Sequence, residues 1–128
     1  MGAVHPLIAI LDDEEKLRLA LARLLKANGY AAVSFATGDA LLEGLNVRHF
    51  DCLLLDLYMP GMSGFDVLGQ LLARPDAPPV IVITAHDDPD LVRRALALNA
   101  FECQHKPVGA PALLAAIERA CGRSSTAH

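Results

Sequence analysis

The chain lacks the marks of several large protein classes. No apolar run approaches the roughly 18 residues that a membrane helix needs, and Met1 to Pro6 offers neither a basic start nor an apolar stretch of signal-peptide length. The expected compartment is therefore the cytoplasm, with no membrane partner. Cysteine is scarce. Cys52, Cys103 and Cys121 are odd in number and show no Cys-x-x-Cys spacing, which points away from a disulfide framework and from a zinc site. They read as small reduced hydrophobes. Basic clusters are missing too, and with a net charge of −4 the chain has little electrostatic pull toward nucleic acid or anionic lipid. A nucleic-acid role would belong to another chain or domain. What is present is 128 residues, 53% hydrophobic and 20% charged, the size and composition of one folded domain rather than a disordered segment.

Leu7 to Leu11 is a continuous apolar run of strand length, the pattern of a strand covered on both faces of a parallel sheet. It ends in Asp12 and Asp13. Leu17, Leu21, Leu24 and Leu25 then form one helical stripe, which Asn28-Gly29 stops. Ala31 to Phe35 reads as a weaker strand, and Thr37-Gly38-Asp39 opens a short helix. Cys52 to Leu55 is a third strand that delivers Asp56 into a chain-breaking run holding Pro60, Gly61 and Gly64. Phe65, Leu68 and Leu72 mark the inner face of the helix that follows. Val80 to Ile83 is the most β-branched strand, and it delivers Thr84, Ala85 and His86. Asp88-Pro89 starts a fourth helix with Val92, Ala95 and Leu96 as its inner residues. Ala100 to His105 is a poor strand by composition and is assigned because the alternation demands one. Lys106-Pro107 closes it, and Leu113, Leu114, Ile117 and Cys121 line a fifth helix before a polar tail from Gly122. Five alternations of strand and helix imply a parallel sheet with helices on both faces.

Such sheets bind ligands outside the carboxyl ends of their strands. That edge collects Asp12 and Asp13, Asp56, Thr84 and Lys106. Each has an ordinary explanation by itself: Asp13 caps a helix, Asp56 opens a loop, Thr84 is a β-branched strand residue, and Lys106 is a solvated turn residue. Convergence is what those explanations leave out. Three carboxylates at one edge repel one another unless a cation or protonation relieves them, and an oxygen-only set with few carboxylates suits Mg²⁺ better than Ca²⁺. A hydroxyl and an ammonium beside it are the groups that hold a phosphoryl oxygen. The chemistry that follows is attack by an Asp carboxylate on phosphorus, giving an acyl phosphate.

The order Asp12-Asp13, then Asp56-Leu-Tyr-Met-Pro-Gly-Met-Ser-Gly64, then Thr84-Ala85, then Lys106-Pro107 resembles the receiver domain of bacterial two-component response regulators, over residues 5–122, with 123–128 left as a flexible tail. The resemblance implies an α/β flavodoxin-like (CheY-like) fold, doubly wound, with a five-stranded parallel sheet of order 2-1-3-4-5 and five helices. It implies a signalling phosphoacceptor rather than an enzyme with a separate substrate. Asp56 would be the phosphorylated aspartate. Asp13 and Asp56 would bind Mg²⁺ directly with the backbone carbonyl of Tyr58, and Asp12 largely through water. Thr84 would hydrogen-bond the phosphoryl group, Lys106 would pair with its oxygens, and Pro107 would follow a cis peptide bond. Tyr58 and His86 would flank the site. The partners implied are a sensor histidine kinase or histidine phosphotransfer protein upstream, and downstream another protein or an output domain outside this chain. The receiver itself would be a monomer or a phosphorylation-dependent dimer, relaying its signal through the face of the fourth helix, fifth strand and fifth helix.

Three positions depart from that family pattern. Cys103 stands where receivers usually place a Tyr or Phe that turns inward on activation, Gln104 where they have an apolar core residue, and Asn99 where they have glycine. Phe101 is two residues from Cys103 and so is expected on the same strand face. Cys103 and Gln104 leave a second reading open, a phosphorylation-independent binding module of the same fold. An aspartyl-phosphate phosphatase would need an acid two residues after the nucleophile, where this chain has Tyr58. A flavin-binding protein would need a Ser/Thr/Gly cradle after the first strand, where it has Asp-Asp-Glu-Glu.

Overall fold

The apolar runs become the middle of a sheet. The computed structural model describes residues 5–59, 61–85 and 88–125, so Pro60, His86 and residues 126–128, named above, lie outside the described residues. In chain order the elements are β1 (Leu7–Leu11), α1 (Glu15–Ala27), β2 (Ala31–Phe35), α2 (Gly38–Val47), β3 (Cys52–Asp56), α3 (Gly64–Leu72), β4 (Val80–Thr84), α4 (Pro89–Ala97), β5 (Glu102–His105) and α5 (Ala110–Ser125). The five strands run parallel in the order β2-β1-β3-β4-β5. Every residue of β3 and β4 is buried, which is why those segments read as unbroken hydrophobic runs rather than alternating ones.

Alternation along the strands splits the core into two layers. Ala9, Leu11, Leu53, Leu55 and Val82 face α2, α3 and α4, where Leu41, Val67, Leu68, Leu71 and Ala95 meet them. Ile8, Ile10, Cys52, Leu54 and Ile81 face α1 and α5, against Leu21, Leu25, Leu113, Ala116 and Ile117. Each fully buried Leu or Ile among them contributes about 1.5–3 kcal/mol of transfer free energy.

The helix ends follow their capping chemistry. Thr37 Oγ1 accepts from the Ala40 amide at 3.2 Å, and the Asp88 carboxylate accepts from the Asp90 amide at 2.9 Å ahead of a first-turn Pro89. After α1, Gly29 takes a φ of +88°. After α4 the left-handed residue is Asn99, at φ +74°, and Asn tolerates that region better than other residues with a side chain. Its place in a position expected to hold glycine thus has a backbone reason.

Several expectations are corrected. Asp13 is not the cap of α1; Glu14 is, without a side-chain cap. Leu72 and Leu96 are exposed, at 53% and 46%. The inner face of α3 runs through Val67, Leu68 and Leu71, leaving Leu72 on its margin at the last helical residue. That of α4 is the i, i+4, i+7 seam of Leu91, Ala95 and Leu98. Phe101 does not share a face with Cys103. β5 begins only at Glu102, so strand alternation has not started at Phe101, whose ring packs into the α1/α5 layer while Cys103 joins the other. Helix α5 also continues past Gly122 to Ser125.

Candidate functional site

Register delivers the charged residues to one place. In the pairing of β1 with β3, Leu11 sits beside Leu55, so the next residues, Asp12 and Asp56, emerge side by side. Thr84 ends β4 opposite His105 of β5, immediately before Lys106. The Lys106 amide donates to the Thr84 carbonyl at 2.8 Å, extending the ladder by one bond and fixing where the lysine leaves the sheet. The Lys106–Pro107 bond is cis.

From there the Lys106 ammonium donates to Asp12 Oδ2 at 3.0 Å and lies 3.6 Å from Asp56 Oδ2. Asp12 and Asp56 are only 3% and 6% exposed and Thr84 is 1% exposed, whereas Asp13 is exposed. Carboxylate oxygens of Asp12, Asp13 and Asp56 all lie within 4.8 Å of one another. The backbone holds this cluster from both sides. Asp12 Oδ1 accepts from the Glu14 amide at 2.9 Å, and Asp56 Oδ1 accepts from the Tyr58 amide at 3.3 Å.

Burial pushes the Asp56 carboxyl above its ordinary value; Lys106 and the Tyr58 amide pull it down, but Asp12 and Asp13 add repulsion. Lys106 shows the converse. Burial lowers it, yet the Asp12 hydrogen bond and the Asp56 charge outweigh that and hold the ammonium above its ordinary value. One ammonium thus offsets only part of the charge of three acids. Crowded, oxygen-only and partly open to solvent through Asp13, the cluster fits a hard divalent cation.

The loop after β3 is pinned where α3 begins. Ser63 and Asp66 form a reciprocal capping box, Ser63 Oγ accepting from the Asp66 amide at 3.2 Å and Asp66 Oδ2 from the Ser63 amide at 3.0 Å. The Gly64 amide donates to the Leu57 carbonyl at 2.9 Å. Tyr58 lies edge-on to Phe65, and the Arg94 guanidinium stacks 4.0 Å above that same ring.

The structure therefore gathers Asp12, Asp13, Asp56 and Lys106, with Thr84 at the adjacent strand end and Tyr58 in the loop beside Asp56. Sequence reasoning missed Arg18, whose guanidinium donates to the Asp12 carbonyl at 2.8 Å and clamps the turn that presents the acids. A cation one turn into α1 carried no signal separating it from a solvated one. Gln104 also finds its reason. Its Nε2 donates to Glu102 Oε2 at 2.8 Å and to the Ala112 carbonyl at 3.1 Å, and Arg119 donates to Glu102 Oε1 at 2.6 Å, tying β5 to α5 through polar groups.

Comparison with known proteins agrees with this arrangement. The chain is 36% identical over 111 residues to the DNA-binding transcriptional regulator NtrC of Klebsiella pneumoniae, covering 87% of this chain and 24% of that one. It is 34% identical over 118 residues to the transcriptional regulatory protein FixJ of Azorhizobium caulinodans, covering 92% and 56%. The chain thus spans between a quarter and just over half of these relatives. Among solved structures, a response regulator receiver protein from Burkholderia phymatum superposes with a TM-score of 0.82 at 34% identity, covering 91% of this chain and 95% of that one. The receiver domain of a putative LuxO repressor from Vibrio parahaemolyticus shares the fold at a TM-score of 0.90 and 24% identity, covering 95% and 94%. With residues 8–118 matched by the model of the response regulator receiver domain, the chain belongs to that family.

Proposed function

We propose that this receiver accepts a phosphoryl group on Asp56 from a phosphohistidine of a sensor kinase or phosphotransfer protein, in a reaction that depends on Mg²⁺. The observation that carries the proposal is the Lys106 ammonium set between two buried carboxylates at the strand ends, 3.0 Å from Asp12 Oδ2 and 3.6 Å from Asp56 Oδ2. An Asp56 oxygen attacks phosphorus, the bond from phosphorus to the donor nitrogen breaks, and the imidazole leaves with a proton. Lys106 neutralises charge on the transferred oxygens and Thr84 donates its hydroxyl to one of them. Asp12, Asp13, Asp56 and the Tyr58 carbonyl would hold the cation, which would supply the remaining positive charge the phosphoryl oxygens need. The chain acts on itself rather than on a separate substrate, and it works in the cytoplasm on behalf of an output domain or downstream protein.

The test is acetyl phosphate with Mg²⁺, read by intact mass. One added phosphoryl group is expected, and none after chelation or in Asp56→Asn. Labelling that survives in Asp56→Asn would place the acceptor elsewhere. An unlabelled wild type that still binds Mg²⁺ would favour the phosphorylation-independent module, with Cys103 as its motivation.

A further inference from the structure

One cation and two rings bridge α4 to the loop that follows β3. The Arg94 guanidinium lies 4.0 Å above the centre of the Phe65 ring, and Tyr58 meets Phe65 edge-on, with ring centres 6.5 Å apart and planes at 89°. Phe65 is buried, whereas Arg94 and Tyr58 are exposed. Arg94 thus covers one face of a ring that borders the acidic site. The adjacent Arg93 instead pairs with Asp90 on its own helix. Tyr58 matters to the site through its backbone: its amide donates to Asp56 Oδ1 at 3.3 Å, and its carbonyl is the neutral ligand proposed for the cation. The loop is tied down at two successive residues. The Leu57 carbonyl accepts from the Gly64 amide at 2.9 Å, and the Tyr58 ring rests on Phe65.

We propose that Arg94 is a positioning residue for the phosphoacceptor site, acting through Phe65 and Tyr58 to hold the loop in the shape that offers the Tyr58 carbonyl to the cation. The inference rests on the metal-dependent phosphoacceptor reading and deepens it. A planar guanidinium over an aromatic face is attracted by the ring quadrupole and keeps water off that face. Edge-to-face packing in turn fixes the Tyr58 ring against Phe65. Side-chain rotamers are coupled to backbone dihedrals, so a fixed ring narrows the φ and ψ open to Tyr58. Without the stack, fewer chains hold the competent loop, and the apparent affinity for the ion falls with that fraction. The sign of the effect separates this role from that of a distant charge. Removing a positive charge near a cation site favours cation binding by Coulomb's law, whereas loss of positioning weakens it.

The full chain is titrated with Mn²⁺, a hard divalent ion suited to the same oxygen ligands, and the free ion is read by electron paramagnetic resonance. Arg94→Gln should weaken binding about two- to fivefold, the span set by a cation–π contact at an exposed site. Arg94→Lys, which keeps a cation over the ring, should restore most of it. Arg93→Gln removes the same charge one residue away and should not weaken binding. In the Phe65→Leu background, where the ring is already gone, Arg94→Gln should weaken binding no further. A second readout needs no metal: in chelator, hydrogen exchange at the Tyr58 amide should quicken in Arg94→Gln and not in Arg93→Gln. Binding in Arg94→Gln as tight as the wild type or tighter, an equal loss in the Phe65→Leu background, or unchanged exchange would each overturn the proposal. A wild type that neither binds Mn²⁺ nor takes a phosphoryl group from acetyl phosphate would overturn the phosphoacceptor reading, and this inference with it.

Discussion

Helix α3 touches the strand that presents Asp56 more closely than a side chain would permit. A Cβ at Gly64 would lie 2.5 Å from the Asp56 carbonyl oxygen and 2.6 Å from Leu57 Cα. Ordinary contact starts near 3.4 Å, so Gly64→Ala must open the junction by about 1 Å. The obstacle is backbone and cannot rotate away, while the capping box and the Gly64 to Leu57 hydrogen bond resist displacement of the helix. Overpacking of this kind costs about 1–3 kcal/mol, partly offset by alanine's better helix propensity, so the net fall in Tm should be about 3–10 °C. Because the displaced atom belongs to Asp56 itself, a shift of about 1 Å should also slow labelling by acetyl phosphate as much as a hundredfold. Gly69 is the matched control, on the same helix with nothing within 4 Å of a built Cβ. Gly69→Ala should gain about 0.5–1 kcal/mol with labelling unchanged. Calorimetry and intact mass on the two variants decide the matter. If Gly64→Ala melts at or above the wild type and labels at the normal rate, α3 rides freely on the strand and the close-approach argument is wrong.

Three further predictions concern stability. Burial holds the Asp56 carboxyl above its ordinary value despite Lys106, so the native state binds that proton more tightly than the unfolded chain, and the ionised form costs stability at any pH above its folded value. Asp56→Asn should therefore raise Tm at neutral pH in chelator, and the gain should vanish as pH falls below the carboxylate range; a gain independent of pH would contradict this. At Asn99, with φ +74°, alanine should cost about 1 kcal/mol and glycine nothing, read from urea midpoints. Gln104→Leu removes two hydrogen bonds and should cost about 0.5–1.5 kcal/mol. Burial raises Glu102, but Gln104 and Arg119 outweigh it and lower its carboxyl, so part of this cost should be present at neutral pH and disappear in acid.

The central strands were legible because burial on both faces leaves a one-dimensional mark, the unbroken runs of β1, β3 and β4. The acidic cluster was legible for a related reason, since each member follows such a run directly. Positions at the margins of elements were less so. Leu72 and Leu96 lie at helical spacing yet fall just off the buried stripe, and apolar character does not report a rotation of that size. Phe101 was misplaced because the start of β5 depends on pairing with β4, which no local pattern of residues 100–105 encodes. The Arg18 clamp and the Gln104 bridge use polar side chains whose partners are fixed only by the fold.

Asp12 and Lys106 meet across 94 residues of chain. Between them stand β3 and β4, and each parallel pairing needs its crossover helix in place before the next strand can add. Contacts so distant in sequence form late and close large loops. A chain still being synthesised can therefore bury Asp56 in a partial sheet, but it has no ammonium to set against three acids until β5 docks. Under the proposed function, competence to take up a phosphoryl group would then report on the completion of folding, and an unfinished chain would stay silent rather than send a false signal.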